Sequence, residues 1–189
     1  MTSDGLPRLC VLGLGNLLCR DDGLGVVAVR HLLEQYRLGP GVVALDGGTL
    51  GMSLMSHVAD VPSLLLVDAV ELDEPPGTLV ELSGDSVALA AAQRLSVHQV
   101  GVVDLLDGLR LTGRYPASLR LMGLVPETTE LGVQLSPAVE ERLPDLVHRV
   151  AARIEALGFT VTPIPLARDG GHEVHAGSDP VGRHVAVGL

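Results

Sequence analysis

Two carboxylates and one imidazole, those of Asp22, Asp68 and His98, lie in three separate segments of the chain. Each segment has the composition of a turn beside the end of a strand or helix. Carboxylate oxygens and an imidazole nitrogen form a mixed donor set that suits a borderline divalent metal. Three protein ligands also leave coordination positions open for a group that the protein does not supply. The three residues are therefore candidate ligands of one metal.

Each of these residues also has a simpler structural interpretation. Asp22 could be the N-cap of the following helix, but Asp21 fits that position equally well, which leaves one cap and one spare carboxylate. Asp68 could be an ordinary turn residue, although a carboxylate after a run of Leu and Val is costly to desolvate unless it is paired or metal-bound. His98 is predicted as the second residue of a helix, where the helix dipole keeps the ring neutral and so able to coordinate a metal. The simpler interpretation is a polar residue at a helix start with no role as a ligand.

Alternating strands and helices position these residues. Short continuous apolar runs predict strands buried on both faces, and apolar residues at helical spacing predict the helices between them. The predicted strands cover 9–14, 42–45, 63–67, 78–82 (an edge strand), 119–125 and 159–161, and the predicted helices cover 23–37, 50–58, 86–93, 97–111 and 137–157. This order predicts an α/β fold with a mostly parallel sheet and helices on both faces. In such sheets ligands bind beyond the carboxyl ends of the strands, the edge where Asp68 and the segment 46–49 are expected.

The sequence gives weaker support to two other kinds of site. The segment Gly13-Leu14-Gly15 follows a strand, as in a dinucleotide-binding turn, but Leu18 occupies the position of the third glycine and two Asp residues crowd the helix start. Tight backbone packing is the better explanation of the two glycines, and a nucleotide-binding oxidoreductase remains an alternative. The chain has no Gly-x-Ser-x-Gly elbow, no Cys with an adjacent His and no His-Glu-x-x-His helix, so a hydrolase of the serine, cysteine or zincin type is not expected.

Length and composition limit the remaining possibilities. The chain has 189 residues and a net charge of −10, which predicts one domain and argues against nucleic acid and anionic membranes as partners. Its two cysteines predict no disulfide framework, and the absence of a signal pattern and of a long apolar run predicts a cytoplasmic protein with no membrane insertion. Periodicity disappears near residue 163, which predicts a folded domain at 1–162 and a mobile tail at 163–189.

Five segments together resemble the [NiFe]-hydrogenase maturation proteases. They are Gly-x-Gly-Asn-x-Leu-x-x-Asp-Asp-Gly-x-Gly at 13–25, Asp-Gly-Gly-Thr at 46–49, Val-Asp-Ala at 67–69, His-Gln-Val-Gly with Asp-Leu-Leu at 98–106, and Gly-Leu-Val-Pro-Glu at 123–127. Each piece is weak alone, but their order along one chain is specific, and the resemblance covers residues 9–158.

The resemblance implies a fold and an activity. It implies a three-layer α/β/α sandwich and an endopeptidase that removes the C-terminal extension of a hydrogenase large-subunit precursor after nickel insertion. The catalytic and metal-contacting roles of the family, carried by an acidic residue (Asp or Glu), an Asp and a His, fall on Asp22, Asp68 and His98. The Asp22 carboxylate reaches about one methylene less far than a Glu would. The nickel is expected to come with the precursor rather than to be bound permanently, and a monomer is expected. A non-enzymatic nickel-sensing chaperone of hydrogenase assembly is the alternative.

Overall fold

The computed structural model describes residues 7–92 and 97–165. The strands are β1 (Leu9–Leu14), β2 (Tyr36–Leu38), β3 (Val42–Gly48), β4 (Ser63–Ala69), β5 (Leu79–Ser83), β6 (Ser118–Leu124) and β7 (Val161–Pro163). The helices are α1 (Leu24–Gln35), α2 (Met55–Val58), α3 (Asp85–Ala92), α4 (Val97–Leu111) and α5 (Pro137–Ala156). Five strands form one sheet in the order β3-β1-β4-β6-β5, in which β5 alone runs antiparallel to its neighbour, and a second, two-stranded sheet pairs β2 with β7.

Alternation of side chains along the central strands divides the core into two layers. In β1, Leu9 and Val11 join one buried cluster with residues of α1 and α5, whereas Cys10 and Leu12 join a second cluster with residues of α3 and α4. Successive side chains of a strand point to opposite faces, so a strand covered on both sides must be apolar at every position. The prediction of a mostly parallel sheet between two helical layers is therefore confirmed.

Cys10 shows how dry this core is. Burial raises the pKa of its thiol to about 12 because the interior disfavours the thiolate. The folded pKa lies above that of the unfolded chain, so the thiol's contribution to stability is full below about pH 8.5 and is lost as the pH rises towards the folded pKa. Cys10 is thus a core thiol, as predicted from its apolar surroundings.

Two helical predictions were wrong in detail. The helix predicted to reach residue 37 ends at Gln35, because Tyr36 adopts an extended backbone and begins β2, which pairs with β7. The helix predicted at 50–58 is a 3-10 turn at Gly51–Leu54 followed by the single turn of α2. At Tyr36 the pairing with β7 outweighs a local helical preference that amounts to a fraction of a kcal/mol per residue.

The predicted boundary near residue 162 lies close to the end of the described chain. Pro163 belongs to β7, and the Ile164 N–H donates a hydrogen bond to the Gln35 carbonyl at 2.7 Å. Residues 166–189, the greater part of the predicted tail, lie outside the described residues, so a mobile tail stays a prediction. Within residues 7–92 and 97–165, no helix has the length and apolarity to cross a membrane.

Candidate active site

Asp22 and Asp68 both lie at the carboxyl edge of the main sheet. Asp68 is the second-last residue of β4 and pairs in register with Gly123 of β6. Asp22 lies in the 3-10 turn at Arg20–Gly23, which precedes α1 and contacts β4. Asp22 is 4% exposed and Asp68 is 3% exposed, so this edge holds two buried carboxylates.

Backbone N–H groups orient both carboxylates. The Asn16 N–H donates to Asp22 Oδ2 at 2.9 Å, and the Ala69 N–H donates to Asp68 Oδ1 at 2.8 Å. Hydrogen bonds of this kind fix the direction of a carboxylate. The arrangement therefore presents fixed carboxylate oxygens of the kind that a divalent cation or a proton transfer requires.

Tight backbone packing brings the Asp22 turn onto the strands. Gly15 has φ +120°, and a Cβ there would lie 1.7 Å from the Asp22 carbonyl oxygen. A Cβ at Gly25 would lie 2.0 Å from the Val67 carbonyl oxygen, immediately before Asp68. These contacts confirm that the Gly-Leu-Gly segment serves close packing, and Gly25 is its counterpart on the facing helix.

The backbone of α4 brings its first turns to the same edge. A Cβ at Gly51, which follows β3, would lie 2.9 Å from the Gly101 Cα atom. His98 is three residues before Gly101, as the second residue of α4. The side chain of His98 lies outside the described residues, so its role as a ligand stays a prediction. Among the side chains that the structure describes, no three His, Cys, Asp or Glu residues are grouped to hold a metal.

Asp46 occupies this edge as well. It pairs in register with Gly13. Its Oδ2 accepts a hydrogen bond from Arg30 Nη2 of α1 at 2.7 Å, in a partly exposed ion pair. The segment 46–49 therefore lies where the sequence predicted it, and Asp46 links β3 to α1.

The interpretation of Asp21 or Asp22 as an N-cap was wrong. The N-cap of α1 is Gly23, and no side chain caps that helix. Asp21 is fully buried and instead accepts hydrogen bonds from the N–H groups of Glu127 and Thr128, and from both the N–H and the hydroxyl of Ser136. Its carboxylate thereby joins the loop after β6, and the start of α5, to the turn that carries Asp22.

Replacing Asp21 with Ala is expected to lower the free energy of unfolding by about 3 kcal/mol, because buried donors lose their acceptor. Chemical denaturation followed by circular dichroism measures this change. Asp107→Ala is the matched control, since that side chain is 58% exposed, and we expect a change within about 0.5 kcal/mol. Equal stability of the two variants would contradict the structural role of Asp21.

Sequence comparisons identify relatives of the whole folded region. Residues 26–153 match the family model HycI, described as hydrogenase maturation protease. The chain is 37% identical over 157 residues to the hydrogenase 2 maturation protease of Escherichia coli K12, covering 82% of this chain and 96% of the relative. It is 39% identical over 173 residues to the hydrogenase expression/formation protein HoxM of Azotobacter vinelandii, covering 85% and 84% of the two chains.

A structural comparison agrees with the sequence relatives. The hydrogenase maturating endopeptidase HybD from E. coli superposes with a TM-score of 0.79 at 36% identity, covering 82% of this chain and 97% of that one. The maturation protease HybD from Thermococcus kodakarensis has a TM-score of 0.65 at 29% identity, covering 77% and 98%. The fold of this chain is thus that of a known group of enzymes.

Proposed function

The chain belongs to the hydrogenase maturation protease family, and we propose that it removes the C-terminal extension of a [NiFe]-hydrogenase large-subunit precursor after nickel insertion. It is an endopeptidase, a hydrolase of peptide bonds, as its family is. The observation that supports the proposal most is the pair of buried, backbone-oriented carboxylates of Asp22 and Asp68 at the carboxyl edge. This edge is the usual ligand-binding position of an open parallel sheet.

We propose that Asp22, Asp68 and His98 contact the nickel of the precursor. Two carboxylates and a neutral imidazole form a donor set that nickel accepts, and three protein ligands leave positions for groups of the precursor. The metal then belongs to the substrate, so the protease acts on loaded precursors and leaves empty ones intact. We further propose that the enzyme works as a monomer in the cytoplasm.

Two mechanisms are compatible with this arrangement. In the first, the three residues complete the coordination of the precursor's nickel, which activates a carbonyl or a water for attack on the scissile bond. In the second, they position the precursor and sense its nickel, while another group activates water. An Asp22→Ala variant that binds loaded precursor and never cuts it would exclude a purely sensing role.

Intact mass measurement of the precursor tests the proposed function. A nickel-loaded precursor that retains its extension is expected to lose one discrete C-terminal peptide when it is mixed with the protein. Nickel-free precursor, and loaded precursor mixed with His98→Ala, are expected to keep their mass. An unchanged mass with the wild-type protein, while a control protease cuts the same precursor, would contradict the proposal and favour a nickel-sensing chaperone.

A further inference from the structure

Exposed apolar side chains are concentrated around the carboxyl edge. Six of the nine large apolar side chains that are exposed in the described residues follow the carboxyl ends of β1, β3, β4 or β6: Leu18, Leu50, Met52, Leu72, Leu131 and Val133. Exposed apolar patches are typical of sites that bind another protein. The loops that follow the strands at the edge of Asp22 and Asp68 therefore carry exposed apolar area.

Leu18, Leu131 and Val133 form the part of this area with the most defined backbone. They are 62%, 84% and 77% exposed. The Gly132 N–H donates to the Leu18 carbonyl at 2.9 Å, which joins the loop after β6 to the loop after β1. The Asp21 carboxylate, in the turn that follows the loop after β1, also accepts hydrogen bonds from the loop after β6. These apolar side chains therefore lie on a fixed backbone.

Arg20 lies between these apolar residues. Its N–H donates to the Gly132 carbonyl at 2.8 Å, and a Cβ at Gly132 would lie 2.9 Å from both Cγ and Nε of Arg20. The side chain therefore lies across the glycine. It is exposed, and within the described part of the chain it forms no ion pair, although the protein carries 23 acidic residues.

The backbone of Arg20 is also strained. Its φ is +48°, in the left-handed region that favours glycine. A strained arginine at an exposed position indicates a use for its side chain, since glycine would adopt the same backbone at no cost. Arginine is also enriched at protein interfaces and is among the residues that contribute most of their binding energy.

We propose that Leu18, Arg20, Leu131 and Val133, called here the docking surface, bind the large-subunit precursor through an apolar segment that carries a carboxylate opposite Arg20. The inference rests on the proposed function, because it is the precursor that must reach Asp22. The docking surface is continuous with Asp22. The Asp22 N–H donates a hydrogen bond at 3.1 Å to the carbonyl of Cys19, the residue between Leu18 and Arg20. A precursor held there lies beside Asp22. A second copy of this chain is a poorer partner, because each copy carries a net charge of −10.

Two docking-surface variants and one control test the inference. The variants are Leu131→Ser combined with Val133→Ser, and Arg20→Gly; the control is Leu111→Ser, at the opposite end of α4 and 89% exposed. Binding of extended, nickel-loaded precursor is measured by biolayer interferometry in an Asp68→Asn background that prevents cutting. Processing kinetics are measured in the active background, and thermal unfolding is recorded for every variant.

Both docking-surface variants are expected to raise the Kd at least about 10-fold, and to raise KM with little change in kcat. The control is expected to bind like wild type. Arg20→Gly relieves a strained backbone, so its melting temperature is expected to stay level or rise, whereas a purely structural arginine would give a lower one.

The outcomes separate the docking surface from the protease activity. If the variants lose binding, the docking surface is supported. If the wild-type protein binds precursor and never cuts it, the proposed protease activity is contradicted while the docking surface still stands. Wild-type affinity in both variants would overturn the docking surface, whether or not the precursor is cut. Variants that change self-association in light scattering and leave precursor affinity unchanged would also overturn it, with a second copy as the occupant.

Discussion

Asp68→Asn is expected to lower the rate of precursor cleavage by roughly 10³-fold, with an unchanged fold. The asparagine amide has the shape of the carboxylate, and its oxygen retains the hydrogen bond from the Ala69 N–H. The substitution removes the negative charge, and with it a strong ligand for a divalent cation and a base for proton transfer. Single-turnover cleavage of nickel-loaded precursor, followed by intact mass, measures the effect.

The same chemical change at an exposed residue is the control for Asp68. Asp73 lies in the loop that follows β4 and is exposed, so Asp73→Asn is expected to cut at the wild-type rate. Both variants are expected to unfold close to the wild-type temperature. A folded Asp68→Asn variant that cuts as fast as the Asp73→Asn control would remove Asp68 from the catalytic machinery.

Gly15→Ala is expected to lower the free energy of unfolding by about 4 kcal/mol or more. The new Cβ would lie 1.7 Å from the Asp22 carbonyl oxygen, a backbone atom that a rotamer change does not move. The residue would also have to adopt φ +120°. In a domain of this size the change corresponds to a melting temperature lower by about 10 °C, which differential scanning calorimetry measures.

Gly84→Ala separates the steric clash from the backbone strain. Gly84 also has a positive φ, of +57°, but a Cβ there would have no neighbouring atom within 4 Å among the described residues. This variant is expected to lose only about 1 kcal/mol, the cost of a left-handed backbone. Similar losses in the two variants would show that the turn before Asp22 is free to move away, and that close packing does not fix it.

The central strands were predictable from sequence because their pattern has one physical cause. A strand with a helix layer on each side buries its side chains on both faces, and the apolar runs at 9–14 in β1 and 64–67 in β4 satisfy that condition without interruption. The antiparallel edge strand β5 was also predictable as an edge, since it follows a Pro-Pro-Gly turn. Hydrophobic periodicity therefore defines most of the main sheet.

The errors concern contacts between residues far apart in the chain. The sequence near Tyr36 continues a helical pattern, and the pairing with β7 that ends the helix lies more than a hundred residues away. Asp21 was interpreted from its immediate neighbours as a helix cap, although its four donors come from residues 127–136. Local preferences contain no information about such partners.

The candidate site was predictable in part, because the pattern that defines the strands also defines where they end. Asp22 and Asp68 lie at the predicted edge, because strand order and the carboxyl ends of parallel strands place them there. The docking surface was not predicted, because exposure of Leu131 and Val133 depends on how the loop after β6 folds over the turn before α1. For His98 the structure places the backbone at this edge, and its contact with nickel remains to be tested by the His98→Ala comparison.

The carboxylate of Asp21 also sets an order of events during synthesis of the chain. Its acceptor atoms and the Ser136 donors are separated by 115 positions, so at roughly 10 residues per second about 10 s pass between their translation. Until Ser136 has left the ribosome, the turn that carries Asp22 lacks the contacts that fix it. Closing the long loop between Asp21 and Ser136 costs entropy, and this loop stays open until its second end is available. The edge that holds Asp22 and Asp68 is therefore completed only after the first 136 residues of the chain have been synthesised.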